Sequence, residues 1–172
     1  MKTRDTIATQ RAVREFSDEP VKPKQIRRIL DAGRRAPSSN NEQRWAFIVV
    51  QERDRLTELG RVGMWSSHVG GAAFAVALVT PDADEHWVRE SIAFDLGQAA
   101  QNMMLEAWDL GIGSCHASVY DPELAQRLLG YPDGLRCDYV ISFGHPREEA
   151  KTRKQTGRRP LDELRHDERY QE

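Results

Sequence analysis

Two short segments of this 172-residue chain concentrate side chains that can grip a polar ligand. The first is 10–16, Gln-Arg-Ala-Val-Arg-Glu-Phe. Arg11 and Arg14 stand three apart, and near a helix end that spacing turns both the same way. Two guanidinium forks so placed can hold a phosphate or the polar edge of a ring. The plainer reading is a pair of surface arginines. The second segment is 36–45, Ala-Pro-Ser-Ser-Asn-Asn-Glu-Gln-Arg-Trp. Its amides offer donors and acceptors together, which suits the alternating edge of a flavin pyrimidine ring. A polar turn with Asn at positive φ accounts for the same composition.

Other chemistries find no footing. There is no GxxxxGK[ST] phosphate loop, no GxSxG elbow and no HExxH pair. The five histidines (His68, His86, His116, His145 and His166) are scattered, so no metal site is expected. Gly111-Ile-Gly113 lacks the third glycine, and it follows a helix where a dinucleotide fingerprint follows a strand. Cys115, between Ser114 and His116, reads better as a buried structural thiol than as a nucleophile. No nucleophile, base and orienting group come together. The chain either binds without chemistry or borrows its chemistry from a cofactor.

Composition bounds the rest. The length favours one domain, 1–172. Hydrophobic residues are 39% and charged residues 30%, an ordinary globular balance. A net charge of −2 carries no nucleic-acid footprint. Two cysteines make no disulfide framework. The start has no apolar h-region and the longest apolar run, 69–80, is too short to span a bilayer. The expectation is a cytoplasmic protein without membrane contact. Twenty arginines against five lysines reflect base composition or phosphate- and carboxylate-binding forks. The basic run 151–159 is a solvated face, or holds one phosphate.

Elements must position these residues. Helices are expected at 6–12, 23–36, 54–59, 85–110 and 121–129, and extended strands at 45–50, 73–80, 112–119 and 135–144. Pro37 ends the second helix. Asp121, Pro122 and Gly130 cap the last. The strand at 73–80 is apolar on both faces, hence central. The long helix is apolar nearly all round over 99–108, as a helix buried on every side would be. One way to bury it is between two subunits. The alternation is α/β or α+β, with helices on both faces of the sheet.

In order and spacing, these segments resemble the FMN-dependent nitroreductase family. That family opens with Arg-Arg-Ser-x-Arg-x-Phe, matched by QRAVREF at 10–16. Its Ala-Pro-Ser-Ser-x-Asn-x-Gln-Pro-Trp block is matched by APSSNNEQRW at 36–45. The helix from Ser91 to Cys115, YVISFGHP at 139–146 and GRRPLDEL at 157–164 continue the likeness over nearly the whole chain. The resemblance implies an α+β fold, a central mixed sheet covered by helices on both faces, and an intertwined homodimer with two FMN sites at its interface. The tail 147–172 would extend onto the partner subunit.

Carried over by position, Gln10, Arg11, Ala12 and Arg14 would meet the FMN phosphate, ribityl chain or ring edge. Ser38, Ser39, Asn41 and Gln43 would line the flavin, some from the opposite subunit. Backbone N–H groups around Cys115, His116 and Ala117 would face the N5/O4 side, and Arg158 would bind the phosphate. The resemblance implies an NADH- or NADPH-dependent reduction of a small electron-poor acceptor, a nitroaromatic or quinone, by a ping-pong sequence. The chemistry is the flavin's, with Arg14 tuning its reduced form. The alternatives are a specialised dehalogenase, ene reductase or deazaflavin user, or a flavin-binding protein without turnover. The stretch 61–71 could form a lid or a plain loop. Gln10 and Ala12 stand where the family has arginine and serine. Losing one charge-assisted hydrogen bond costs about 1.5–3 kcal/mol, so FMN binding should be weaker or flavin preference altered.

Overall fold

Strand β2 (Phe74–Pro81) is shared by two cores. The computed structural model describes residues 2–148 and 157–170. In it, Ala75, Ala77 and Val79 of β2 point into one hydrophobic cluster, and Phe74, Val76 and Leu78 into the other. This is the two-residue period of a strand covered on both faces. The first cluster is closed by Leu56 and Leu59 of α3 (Arg53–Leu59) and by Ala125 and Leu129 of α5 (Pro122–Leu129). The second is closed by Ile26 and Ile29 of α2 (Pro23–Arg34) and by Leu96, Met103 and Ala107 of α4 (His86–Asp109). A Cβ on Gly33 would lie 2.2 Å from the end of the Met103 side chain, so the glycine is what lets α2 come this close to α4.

The sheet order is β1-β2-β4-β3, with β1 at Ala46–Val50, β3 at Gly113–Ser118 and β4 at Leu135–Gly144. All three ladders are antiparallel. The parallel component is a single bridge, Ala12 to Ser114. The central place of β2 agrees with its two apolar faces. The predicted caps of α5 are present: Asp121 Oδ1 accepts from the Leu124 N–H at 2.9 Å, and Gly130 takes φ 71°. Among the described residues no helix is long and apolar enough to cross a membrane.

The N-terminal expectation fails. The first helix, α1, is Thr3–Thr9 and stops before Gln10, where a helix was expected over 6–12. From Gln10 the chain is extended. The Val13 N–H donates to the Ser114 carbonyl at 2.9 Å, and Phe16 bridges Pro146. Sheet edge and core outbid local propensity here: Val13 and Phe16 are buried, and Gly113 has no Cβ to collide with Val13, which would lie 2.7 Å away. Arg11 and Arg14 therefore do not share a helical face.

Candidate functional site

The extended segment 10–16, the first residue of α3 and the short 3-10 turn Ser67–Gly71 meet around an open cleft of about 730 Å³. Arg14, Phe16, Arg53, Trp65, His68 and Arg147 line it, with Glu15 and Asp18 at its edge. Two of the three guanidiniums are committed to backbone. Arg53 donates to the carbonyls of Gly70 at 2.7 Å and Ala72 at 3.1 Å, and Arg147 to that of Phe16 at 3.0 Å. Arg14 lies close enough for its charge to act on both His68 and Cys115. Trp65 is 75% exposed, while Ser66 beside it is buried, its Oγ accepting from the Gly63 N–H at 2.9 Å. The stretch 61–71 is thus a pinned turn presenting an exposed Trp65.

Behind the cleft lies a polar chain that no motif announced. Ser142 Oγ donates to the Cys115 carbonyl at 3.1 Å and stands 2.8 Å from His68 Nδ1. His68 is only 8% exposed, and burial, with the charges of Arg14 and His116, lowers its pKa to about 4. The Cys115 thiol is buried and pushed up by desolvation, against the pull of Arg14. Burial pushes the Cys137 thiol up to about 12. Both cysteines are therefore protonated at neutral pH, which fits the structural reading of Cys115.

The predicted residues fall into separate places. Arg11 packs its guanidinium over the Trp108 ring at 4.7 Å, whereas Arg14 serves the cleft. Gln10 ends α1 with its N–H on the Thr6 carbonyl, and Ala12 is exposed beside it. Ser114 turns its carbonyl outward to Val13. Strand alternation then turns the polar backbone of His116 to the same open side and that of Cys115 and Ala117 toward β4. Of those three, His116 is the one whose N–H can face a ligand at the edge. Its side chain lies on the α4 face, 6.4 Å from the Tyr139 ring.

The loop 36–45 is built as a compact turn. Asn40, Asn41 and Gln43 all take positive φ, at 49°, 56° and 51°. Ser38 Oγ accepts from the Gln43 N–H at 3.0 Å, and the Gln43 amide donates to the Asn41 carbonyl at 3.1 Å. Ser39 is tied to α4: its N–H donates to Asp95 at 2.9 Å and its Oγ accepts from Ser91 at 2.8 Å. Asn41 and Gln43 remain exposed. Arg158 sits in the segment 157–170, in which every residue but His166 is exposed. The rest of the basic run, 151–156, lies outside the described residues.

Sequence reasoning missed His68, Ser142 and Asp95. The first two lie 74 residues apart and meet only through the fold. Asp95 had a signal, a lone carboxylate on the otherwise apolar inner face of α4.

The profile of the Nitroreductase family matches residues 7–66 and 61–145. A protein of Archaeoglobus fulgidus, provisionally named NADH dehydrogenase/NAD(P)H nitroreductase, is 32% identical over 147 residues, covering 83% of this chain and 84% of the relative. The NADPH-flavin oxidoreductase of Vibrio harveyi is 27% identical over 183 residues, covering 99% of this chain and 75% of its own. The solved structure of NADPH:FMN oxidoreductase from Vibrio harveyi complexed with NAD+ superposes with a TM-score of 0.89 at 25% identity, covering 99% of this chain and 78% of that one. The α+β architecture, the two-sided sheet and these matches agree: the chain belongs to the nitroreductase family.

Proposed function

We propose that the protein is an NAD(P)H-dependent flavin oxidoreductase that binds FMN and reduces a small electron-poor acceptor, such as a nitroaromatic or quinone. The cleft carries this reading. Its walls supply the cation Arg14, the buried imidazole of His68 and the exposed aromatic Trp65, a set that suits a redox-active heteroaromatic ring and a planar substrate. The residues present fit such a group: Arg14 makes no described hydrogen bond within the chain, and His68 Nε2 is buried without a partner among the described residues. When bound, FMN supplies hydride transfer between NAD(P)H and the acceptor.

The protein's own residues bind, orient and tune. Arg14 places positive charge where a ring edge becomes anionic on reduction. The outward N–H of His116 is a donor toward the opposite edge. Trp65 offers a face against which nicotinamide or acceptor can stack, each in turn, in the same open cleft, which is the basis of a ping-pong order. The cleft is wide enough to exchange one planar molecule for the other.

A homodimer completes the site in this reading. Ser39 meets α4 at Ser91 and Asp95, whereas Arg11 and Thr9 meet it at Trp108. From Asp95 to Trp108 a helix rises about 20 Å. The loop 36–45 and the segment 10–16 of one chain are therefore at opposite ends of α4. Two copies with antiparallel α4 helices would bring the loop of one to the Arg14 cleft of the other. An apolar groove along α4, lined by Leu78, Leu96, Gly97, Ala100 and Met104, and the 73% exposed Phe94 give such a partner a surface to cover. The exposed Leu161 and Leu164 in 157–170 fit a tail that packs on the second copy, with Arg158 carried toward its phosphate.

The test is the visible spectrum of the purified protein before and after anaerobic NADH or NADPH. Flavin bands that bleach with nicotinamide and return with a nitroaromatic or quinone are the expected result. A colourless protein that takes up no added FMN overturns the proposal. A yellow protein inert to both nicotinamides and every acceptor supports a flavin-binding protein without turnover, the reading that Gln10 and Ala12 favour.

A further inference from the structure

His68 is a buried polar group of the cleft whose exact contact with a flavin the reading above leaves open. Its protonation pattern follows from its neighbours. The single hydrogen of the Ser142 hydroxyl goes to the Cys115 carbonyl at 3.1 Å. With that assignment the hydroxyl oxygen is an acceptor, and the tautomer that completes the 2.8 Å contact carries its hydrogen on His68 Nδ1. Burial and the nearby Arg14 and His116 keep the ring neutral at pH 7. Nε2 of this cleft-lining residue is consequently a bare lone pair, buried and without a partner among the described residues. Buried acceptors in native proteins are almost always satisfied. Of the lining guanidiniums, Arg53 and Arg147 donate to backbone carbonyls.

We infer that His68 Nε2 and Arg14 form an acceptor–donor pair that reads an imide edge. Nε2 accepts from a ring N–H, and the guanidinium donates to the carbonyl next to it. The ligand class is a heteroaromatic imide, –CO–NH–CO–, as in the pyrimidine ring of a flavin. The inference rests on the flavin reading and adds which edge the protein reads and how. Ser142 is a positioning residue in this scheme, because it fixes the tautomer that makes Nε2 an acceptor. A neutral imidazole suits this role, whereas a lysine there could only donate and would oppose the N–H.

The experiment compares FMN with 3-methyl-FMN, which replaces that N–H by N–CH₃. Binding to apoprotein is read by quenching of flavin fluorescence. The wild type should bind the methylated flavin at least about tenfold more weakly, the ratio of one lost hydrogen bond. His68→Asn keeps an amide N–H for Ser142 but has nothing where Nε2 stands. It should bind FMN about tenfold more weakly than the wild type and no longer prefer it to the methylated form. Nitrogen-15 NMR of the wild type should show the Nδ1–H tautomer, with the Nε2 resonance shifting as FMN is added. Should His68→Asn fail to fold, Ser142→Ala should still narrow the preference. Equal binding of both flavins by the wild type, or an undiminished preference in His68→Asn or Ser142→Ala, overturns the inference and leaves the flavin reading intact. Binding of neither flavin overturns both.

Discussion

The backbone N–H of Ser39 donates to the buried carboxylate of Asp95 at 2.9 Å, fastening the loop 36–45 to the N-terminal half of α4. Ser91 adds a second tie through the Ser39 hydroxyl at 2.8 Å. Asp95→Ala removes the anchor and leaves the Ser39 N–H without its acceptor. The expected cost is about 1–3 kcal/mol in urea denaturation. If the loop lines the flavin of the partner subunit, FMN affinity falls with it. A variant of unchanged stability would show that the loop is held by its own turn bonds.

Gly113 and Val13 set the position of Arg14. A Cβ at 113 would stand 2.7 Å from the Val13 side chain, in a packed place with no flexible tip to yield. Gly113→Ala should lower stability by about 1–3 kcal/mol, the usual cost of overpacking. It should also displace the segment 10–16 and weaken FMN binding more than it weakens the fold. Thermal melting and flavin titration of the same sample check both. Normal flavin affinity would place the ligand elsewhere than beside Arg14.

Arg14→Ala removes the cleft cation that makes no described hydrogen bond. Loss of one charge-assisted contact is worth about 1.5–3 kcal/mol, so FMN should bind roughly ten- to a hundredfold more weakly. The reduction potential of what remains bound should fall, since reduction there creates negative charge. Potentiometry with a reference dye measures it. An unchanged potential would remove Arg14 from the tuning role.

The elements were legible because their causes are local. The alternation of β2, the Asp121–Pro122 and Gly130 caps of α5 and the length of α4 are written in residues close in sequence. The extended course of 10–16 was not. Its helix-compatible residues were overridden by a sheet edge and by a glycine about a hundred positions away. The site divided in the same way. Arg14 lines the cleft although the helical spacing that singled it out is absent, and the 36–45 loop has the positive φ at Asn40 and Asn41 that its composition allowed. His68 and Ser142 were not legible, because a histidine in a turn and a serine in a strand acquire meaning only when the chain brings them to 2.8 Å.

His68 also predicts a pH dependence of stability. Its folded pKa of about 4 lies below the ordinary 6.5, through burial first and then the charges of Arg14 and His116. Between those values the unfolded chain binds the proton and the folded protein does not. Stability from this group is therefore full above about pH 6.5 and is lost as pH falls toward 4. The loss reaches roughly 3 kcal/mol, at about 1.4 kcal/mol per pH unit. Urea denaturation between pH 7 and 4 should show a shallower decline in His68→Asn than in the wild type. Parallel profiles would mean that the ring is protonated as easily in the fold as outside it.

The separation of the two half-sites along α4 makes the last prediction, which concerns assembly. If each flavin site takes Arg14 from one chain and the loop 36–45 from the other, two defects on different chains can be sorted. Arg14→Ala and Asp95→Ala homodimers each carry the same defect twice. A mixed dimer, refolded from both variants, carries both defects at one site and neither at the other. Half of its sites should regain wild-type FMN affinity, visible as a tight phase in a flavin titration that neither parent shows. Sites built within one chain would give only the two parental weak phases. Phe94→Glu supplies the control: it places a charge on the exposed face of α4, where it should favour the monomer in sedimentation and abolish the tight phase while leaving far-UV circular dichroism unchanged.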